Sequence, residues 1–217
     1  MKGKAMAPAK VPPTTVQRLP LYLRCLVQAS THHMPVVNSV QIAEMAGTNA
    51  AQVRKDLSYL GEFGTRGIGY DVDSLIAHLS RHLGLTEHRR VAIVGYGRLG
   101  SALQGYQGFA ERGMRVVAVL DADPAKIGIA VDALTVEDIE SLEAVVARER
   151  VEIAVITVPA AAAQSVADRL VAAGIRAIMN FAPVALRVPE GVEVRQADVA
   201  GELQILSFHL HPERTRV

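Results

Sequence analysis

The sequence predicts an α/β protein of two domains, a helical N-terminal domain followed by a domain that contains a parallel sheet. The first observation is a change in the apolar pattern near residue 89, from helical spacing to short apolar runs typical of buried strands. The second is a glycine-rich segment, Gly95-Tyr96-Gly97-Arg98-Leu99-Gly100, that directly follows one of those runs. A chain of 217 residues is long enough for two small domains.

Three short helices are predicted in the N-terminal part. The first spans about 16–29, the second begins after Asn38-Ser39 and ends at Gly47, and the third begins after Thr48-Asn49. Their inward-facing residues are predicted to be Leu19, Leu23, Leu26 and Val27, then Ile42, Ala43, Met45 and Ala46, then Val53, Leu57 and Leu60. The short turn between the second and third helices makes them a helix-turn-helix candidate.

A glycine-rich stretch over 61–70 follows these helices. Its four glycines in ten residues disfavour a helix, and the neighbouring Phe63, Ile68 and Tyr70 favour a tight β-hairpin, or wing. A further helix over about 72–83 then connects the two domains.

Strands alternate with helices from residue 89 onward. Strands are predicted over 91–94, 116–120, 153–158 and 177–180, with a short one at 192–194, and helices over 99–112, 136–148 and 160–173. This alternation is typical of a parallel sheet with helices on both faces, as in the Rossmann fold.

The glycine segment predicts a dinucleotide site because it lies between a strand and a helix. Gly95 would form the tight turn, Gly97 would admit a pyrophosphate, and Gly100 would let the helix pack on the strand. Asp121 ends the next strand, where a carboxylate accepts a hydrogen bond from a ribose 2′-hydroxyl and repels a 2′-phosphate. NAD(H) is therefore favoured over NADP(H), with a flavin, or a turn that binds no nucleotide, as alternatives.

Two further segments follow predicted strands. Thr157-Val158-Pro159 and Asn180-Phe181-Ala182-Pro183 would both lie at the carboxyl edge of the sheet, where ligands bind in open α/β folds. They are predicted to line the nicotinamide side of the site. The alternative is that Pro159 and Pro183 merely end their strands.

Positive charge is concentrated in the N-terminal part. Residues 1–85 contain nine Lys and Arg against five Asp and Glu, whereas the remainder contains fourteen against seventeen. On the third helix, Gln52, Arg54, Lys55 and Ser58 would face outward, a mixture suited to base edges and phosphates, and Arg66 would lie at the wing tip near a minor groove. The alternative is an ordinary solvated helix face.

These motifs resemble those of the Rex family, the redox-sensing transcriptional repressors of bacteria. The resemblance covers nearly the whole chain from about Gln17. It is carried by RLPLYLR at 18–24, VRKDLSY at 53–59, GEFG and RGIGY at 61–64 and 66–70, GYGRLG at 95–100, Asp121 with KIG at 126–128, and NFAP at 180–183. Asp198-Val199 departs from the family's usual Asp-Leu, and the N-terminal tail is somewhat long.

The resemblance implies a homodimer that represses transcription on a palindromic operator. NADH would release the DNA, and NAD⁺ would compete weakly for the same site, so both would act as regulatory ligands. The C-terminal helix would be swapped against the partner through Leu203, Ile205, Leu206 and Phe208. Tyr106 would meet Asp198 of the other subunit near the nicotinamide.

The sequence and the resemblance together define the candidate sites and domains. Nucleotide-binding candidates are Gly95, Tyr96, Gly97, Arg98, Leu99, Gly100, Tyr106, Asp121, Lys126, Thr157, Val158, Pro159, Asn180, Phe181 and Asp198. DNA-binding candidates are Arg18, Asn49, Gln52, Arg54, Lys55, Ser58, Tyr59 and Arg66. The expected parts are a flexible tail at 1–15, a winged-helix domain at 16–85, a Rossmann domain at 86–198 and a dimerisation helix with a tail at 199–217.

Two other function classes remain open at this stage. An NAD-dependent dehydrogenase would need a general base and a substrate-binding region, whereas the seven histidines are poorly placed and few residues remain beyond the nucleotide fold. A winged helix can also bind protein, although the basic third helix argues against that use. Without a long apolar run, a signal-like N-terminus or a second cysteine, we expect no membrane span, no cysteine-rich metal site and a cytoplasmic location.

Overall fold

The computed structural model describes residues 11–210 apart from Glu62, Phe63 and Arg66. The chain divides into two compact units between Glu87 and His88. Of the helices within this described part, none is long and apolar enough to cross a membrane.

Unit 1 contains four helices and a two-stranded antiparallel sheet within its described residues. In chain order these are α1 (Pro13–Thr31), β1 (Val36–Val37), α2 (Ser39–Ala46), α3 (Ala50–Ser58), β2 (Tyr70–Asp71) and α4 (Val72–His82). Its core joins all four helices through Leu19, Tyr22, Leu26, Ile42, Val53, Leu57, Leu75 and Leu79. This core holds α2 and α3 as the predicted helix-turn-helix pair.

Local capping fixes the ends of α2 and α3. The Asn38 side chain accepts from the backbone N–H of Gln41, whose own side chain accepts from the Asn38 N–H, which forms a capping box. Gly47 ends α2 with a φ of 62°, and Asn49 caps α3 through the N–H of Gln52. The predicted start and end of α2 and the predicted start of α3 are confirmed.

The wing is tied to the helix-turn-helix by strand pairing. Thr65 and Gly69 form an antiparallel bridge, and β2 pairs with β1, the strand that precedes α2. A tight turn is therefore present where the glycines predicted one. Arg66, placed by the sequence at the wing tip, lies outside the described residues.

Unit 2 is built on a seven-stranded sheet, counted over its described residues, in the order β5-β6-β4-β3-β7-β8-β9. The strands are β3 (Arg89–Val94), β4 (Met114–Asp121), β5 (Ala130–Val131), β6 (Leu134–Asp138), β7 (Ile153–Ile156), β8 (Ala177–Asn180) and β9 (Glu193–Gln196). All neighbouring strands pair in parallel except β5 and β6, which are antiparallel. The helices are α5 (Arg98–Gln104), α6 (Gln107–Ala110), α7 (Leu142–Arg148), α8 (Ala160–Ala172) and α9 (Val199–His209).

Two predicted helices of unit 2 were wrong in extent. The helix over 99–112 is interrupted after Gln104, because Gly105 ends α5 and Tyr106 begins α6 as its N-cap. The helix over 136–148 begins only at Leu142, since Val136 is buried in β6, which pairs with the last residues of β4. The short antiparallel strand β5 completes this edge and was not predicted.

Two predicted inward-facing residues of unit 1 are also exposed. Val27 on α1 and Met45 on α2 both lie outside the buried face, whereas Tyr22 and Cys25 on α1 are buried. The buried face of α1 is therefore centred on 19, 22, 26 and 29.

The last helix, α9, differs from the others because none of its described residues is buried. Its exposed apolar side chains point in several directions around the helix. They are Val199, Leu203, Ile205, Leu206 and Phe208, followed by Leu210 at the C-cap.

Candidate functional site

The glycine turn joins the end of β3 to the start of α5. Gly95 has a φ of 104°, and a Cβ atom there would lie 2.9 Å from the carbonyl carbon of Thr157. A Cβ atom on Gly100 would collide with the carbonyl oxygen of Gly95. Around Gly97, by contrast, no described atom lies within 4 Å of an added Cβ. The turn therefore requires glycine at 95 and 100 for packing and leaves open space at 97 for a ligand.

Asp121 connects the end of β4 to this turn. Its Oδ2 accepts from the backbone N–H of Tyr96 at 2.5 Å and from Lys126 Nζ at 3.1 Å, and its Oδ1 accepts from the N–H of Asp123 at 2.8 Å. Burial raises the pKa of Asp121, but the hydrogen bonds from Asp123, Tyr96 and Lys126 outweigh burial and lower that pKa below its ordinary value. A carboxylate has about four acceptor positions, so one remains for a ribose hydroxyl.

Thr157 supports the turn from the neighbouring strand. Its Oγ1 lies 2.7 Å from the carbonyl oxygen of Gly95, to which it donates, and 3.1 Å from that of Val94. Val158 is half-buried against the core, and Pro159 is the exposed N-cap residue of α8. The segment therefore borders the glycine turn at the carboxyl edge of the sheet.

Asn180 is fully buried, and its side chain bonds within the protein. Its Nδ2 donates to the carbonyl oxygen of Val184 at 2.8 Å and to Gln196 Oε1 at 2.7 Å, while Oδ1 accepts from the N–H of Ala182 at 3.0 Å. These bonds hold the loop after β8 against β9. The side chain of Asn180 thus shapes the loop. The next residue, Phe181, packs against the sheet in the apolar cluster that contains Ile93.

Tyr106 and Asp198 occupy exposed positions in unit 2. Tyr106 lies in the break between α5 and α6, is 52% exposed, and has its ring centroid 5.3 Å from that of Phe109. Asp198 is the N-cap of α9, where its Oδ1 accepts from the N–H of Gly201 at 2.9 Å. Both side chains are accessible to a second molecule.

The outer face of α3 carries three of the eight predicted DNA contacts. Arg54, Lys55 and Ser58 are exposed, while Val53 and Leu57 point into the core of unit 1. Arg54 Nη1 donates to Ser39 Oγ at 2.8 Å, which links α3 to the start of α2. Asn49 is exposed at the N-cap of α3, and Tyr59 is half-buried at its C-cap.

Arg18 and Gln52, both predicted to contact DNA, also have a partner within the protein. Both side chains bond to Asp56, which is fully buried on α3. Asp56 was not among the predicted site residues, although its spacing three residues after Val53 and four before Leu60 places it on the buried stripe. That spacing is the signal that could have identified it.

Acid should remove a stabilising contribution from Asp56. Burial raises its pKa, but hydrogen bonds from Arg18, Thr15, Tyr22 and Gln52 prevail and lower it to about 2. An aspartate whose folded pKa lies below the ordinary value of about 3.9 stabilises the fold above that value and loses the contribution as pH falls towards the folded pKa.

The corresponding measurement is urea unfolding of the unaltered chain and of Asp56→Asn at several pH values, followed by circular dichroism. The difference in free energy of unfolding should be constant from about pH 5 to 7 and should shrink below about pH 4. A difference that stays constant down to pH 2 would contradict the assignment of this carboxylate as ionised and bonded.

Comparisons with known proteins agree with this two-part architecture. A family model described as "CoA binding domain" matches residues 86–184, and one described as "Putative DNA-binding protein N-terminus" matches residues 10–58. A redox-sensing transcriptional repressor Rex from Streptomyces griseus is 54% identical over 199 residues, which cover 92% of this chain and 79% of that protein. The chain belongs to the Rex family. A second member, from Chloroflexus aurantiacus, is 46% identical over 94% of this chain and 96% of its own length.

A solved Rex-family structure extends the likeness to the fold. RSP in complex with beta-NAD+ and operator DNA has a TM-score of 0.89 and 34% identity, over 94% of each chain. RSP in complex with beta-NADH has a TM-score of 0.85 and 33% identity, over 94% of this chain and 95% of that one. The predicted fold class, a winged helix-turn-helix domain followed by a Rossmann domain, is confirmed.

Proposed function

We propose that this chain is a transcriptional repressor that binds operator DNA through unit 1 and leaves it when NADH binds to unit 2. One observation carries the proposal: a winged helix-turn-helix with a basic, exposed α3 occurs in the same chain as a glycine turn braced by Asp121. Family members are named redox-sensing repressors, and RSP was solved with operator DNA and beta-NAD+ and, separately, with beta-NADH. The site of action would then be the cytoplasm, where bacterial DNA and NADH are both found.

The nucleotide is held, in this proposal, at the carboxyl edge of the sheet. The turn at 95–100 receives the pyrophosphate, and Asp121, oriented by Lys126, accepts from the adenosine ribose. Thr157, Val158, Pro159 and the loop with Asn180 and Phe181 border the nicotinamide. The ionised Asp121 repels a 2′-phosphate, which favours NADH and NAD⁺ over their phosphorylated forms.

NADH is a signal here and is not consumed. Hydride transfer to a substrate needs an acid or base at the carboxyl edge of the sheet. The described histidines lie elsewhere, at 32 and 33 after α1, at 78 and 82 on α4, at 88 before β3 and at 209 on α9. This placement supports a sensor over the alternative of an NAD-dependent oxidoreductase.

Homodimerisation through α9 and the Rossmann domains completes the site. A helix with apolar side chains on several sides is normally buried, whereas none of the described residues of α9 is buried in a single chain. Packing of α9 against a second copy would bury these side chains and bring Asp198 of one subunit towards Tyr106 of the other. Two winged helices would then meet the two halves of a palindromic operator.

Release by NADH is a shift between two arrangements of the dimer. A ligand moves such an equilibrium only by the difference between its affinities for the two states. NADH must therefore bind the released arrangement more tightly than the DNA-bound one, and NAD⁺ must discriminate less between them.

Arg54→Ala tests whether the two units divide the two functions. Loss of one contact to phosphate or base should lower operator affinity about 10-fold and should reduce the slope of log K against log[salt] by about 0.9 if the contact is to phosphate. NADH affinity should not change, because Arg54 lies in unit 1. Fluorescence anisotropy on an operator selected from random DNA measures the first quantity, and NADH fluorescence measures the second in this tryptophan-free chain.

The matched control is Arg81→Ala, which removes an exposed positive charge from α4, outside the predicted DNA face. It should retain operator affinity within about twofold. Equal losses of operator and NADH affinity in Arg54→Ala would contradict the division of functions and would indicate misfolding.

A further inference from the structure

A buried carboxylate lies between α1 and α3. Asp56 is 0% exposed and accepts hydrogen bonds from four side chains. Three of these side chains are on α1. Thr15 Oγ1 donates to Oδ1 and Tyr22 Oη donates to Oδ2, each at 2.8 Å. Arg18 donates twice, through Nε to Oδ2 at 2.6 Å and through Nη2 to Oδ1 at 2.8 Å. The fourth is Gln52 Nε2 on α3, at 2.9 Å from Oδ1. We refer to these five residues as the Asp56 cluster.

The protonation states of the cluster are fixed at neutral pH. The pKa of Asp56 is lowered to about 2, where hydrogen bonds from Arg18 and its neighbours outweigh burial. Burial, together with the bond to Asp56, raises the pKa of Tyr22 to about 12. Asp56 is therefore an anion that Arg18 neutralises and that Tyr22 contacts as a neutral donor.

The cluster adds directional contacts to the apolar contacts of α3. The nine-residue α3 buries Val53, Asp56 and Leu57, and a helix this short depends on tertiary contacts for its stability and orientation. Apolar side chains tolerate small rotations, whereas a two-bond guanidinium–carboxylate pair fixes both distance and angle. Asp56 directly follows Lys55 and lies two residues after Arg54, so its position sets where these exposed side chains point.

We propose that the Asp56 cluster positions α3 for operator recognition, and that Arg18 and Gln52 act through Asp56 and not by direct contact with DNA. This inference rests on the proposed function. It reassigns two residues that the sequence placed at the DNA surface, and it adds Asp56, Tyr22 and Thr15 as positioning residues. Buried ion pairs often contribute little to stability and can instead specify one geometry.

The deciding variant is Tyr22→Phe, because Tyr22 is 1% exposed and cannot reach DNA. It removes one hydrogen bond to Asp56 and retains the ring in the core. We expect operator affinity to fall about 3- to 10-fold, less than the full contribution of one hydrogen bond to a charged group, because the other donors still hold Asp56. Affinity for a scrambled duplex, its salt slope and NADH affinity should stay unchanged, since no surface charge is altered. The control is Val72→Ala, which removes buried carbon from the same core without touching Asp56.

Arg18→Gln and Arg18→Lys provide the second comparison. If Arg18 acts through Asp56, Arg18→Gln lowers operator affinity but leaves scrambled binding and its salt slope intact, and Arg18→Lys restores only part of the loss because it lacks the planar fork. If Arg18 contacts phosphate instead, Arg18→Gln lowers the affinities for operator and for scrambled DNA and reduces the slope of log K against log[salt] by about 0.9. Arg18→Lys then restores both affinities.

Several results would overturn the inference. For Tyr22→Phe, these are an unchanged operator affinity or equal losses of affinity for operator and scrambled DNA. For the control Val72→Ala, the contradicting result is an operator-specific loss as large as that of Tyr22→Phe. For Arg18, it is a loss of both affinities in Arg18→Gln that Arg18→Lys restores, as expected for a phosphate contact. Failure of the proposed function is a separate outcome, because the unaltered chain would then not distinguish any selected operator from scrambled DNA.

Discussion

Deletion of residues 199–217 is expected to convert the proposed dimer into a monomer and to lower operator affinity by at least about 100-fold. The deletion removes α9, whose exposed apolar side chains are the proposed contact with the second subunit. A monomer binds one half-site only and loses the gain in effective concentration that links the two winged helices. Light scattering after gel filtration measures the mass, and anisotropy measures operator binding.

The control deletes residues 211–217 alone, which leaves α9 in place, and it should remain dimeric. A second control, Leu203→Glu with Leu206→Glu in the full chain, should reproduce the monomer without truncation, because buried charges oppose packing of the helix. A truncated monomer that binds the operator with the affinity of the full chain would contradict the role of α9.

Asp121→Asn is the second change for which we expect a large effect. The substitution removes the negative charge that accepts from the N–H of Tyr96, from Lys126 and from the proposed ribose hydroxyl. Hydrogen bonds to charged groups contribute about 1.5–3 kcal/mol each, so NADH affinity should fall at least about 10-fold. The ratio of NADPH to NADH affinity should rise, because the repulsion of a 2′-phosphate is lost.

Titrations of NADH and NADPH, each followed by nucleotide fluorescence, measure both effects. The matched control is Asp123→Asn, which removes a charge 3.7 Å from the same Lys126 but has no bond to the glycine turn. It should change NADH affinity by less than about threefold. Unchanged NADH affinity and an unchanged preference for NADH in Asp121→Asn would exclude Asp121 as the ribose contact.

The features that the sequence predicted correctly depend on neighbouring residues. The start of α2 after Asn38 and its end at Gly47 need only residues a few positions apart. The strand that leads into the glycine turn, with Asp121 at the end of the following strand, is likewise a local pattern with fixed spacing. Such features are formed by short-range sterics and hydrogen bonds, so they can be inferred without tertiary contacts.

The features that were missed depend on distant residues. Asp56 was overlooked because a charged residue is ordinarily placed at the surface, and its burial depends on Arg18 and Thr15, which are 38 and 41 positions away. The hydrogen bond from Asn180 to Gln196 was also not predicted, because it crosses a strand pair that the sequence indicated only faintly. The strand β6 was predicted as helix because its parallel pairing with β4 cannot be inferred from local periodicity.

The central claim is that NADH, and not NAD⁺, releases this chain from its operator. It is tested most directly by titrating NADH, and separately NAD⁺, into a complex of the full chain with its selected palindromic DNA while anisotropy is followed. The account predicts that NADH lowers anisotropy to that of free DNA, and that NAD⁺ leaves the complex bound but shifts the NADH curve to higher concentration by competition. Equal release by both nucleotides, or release by neither, would contradict it.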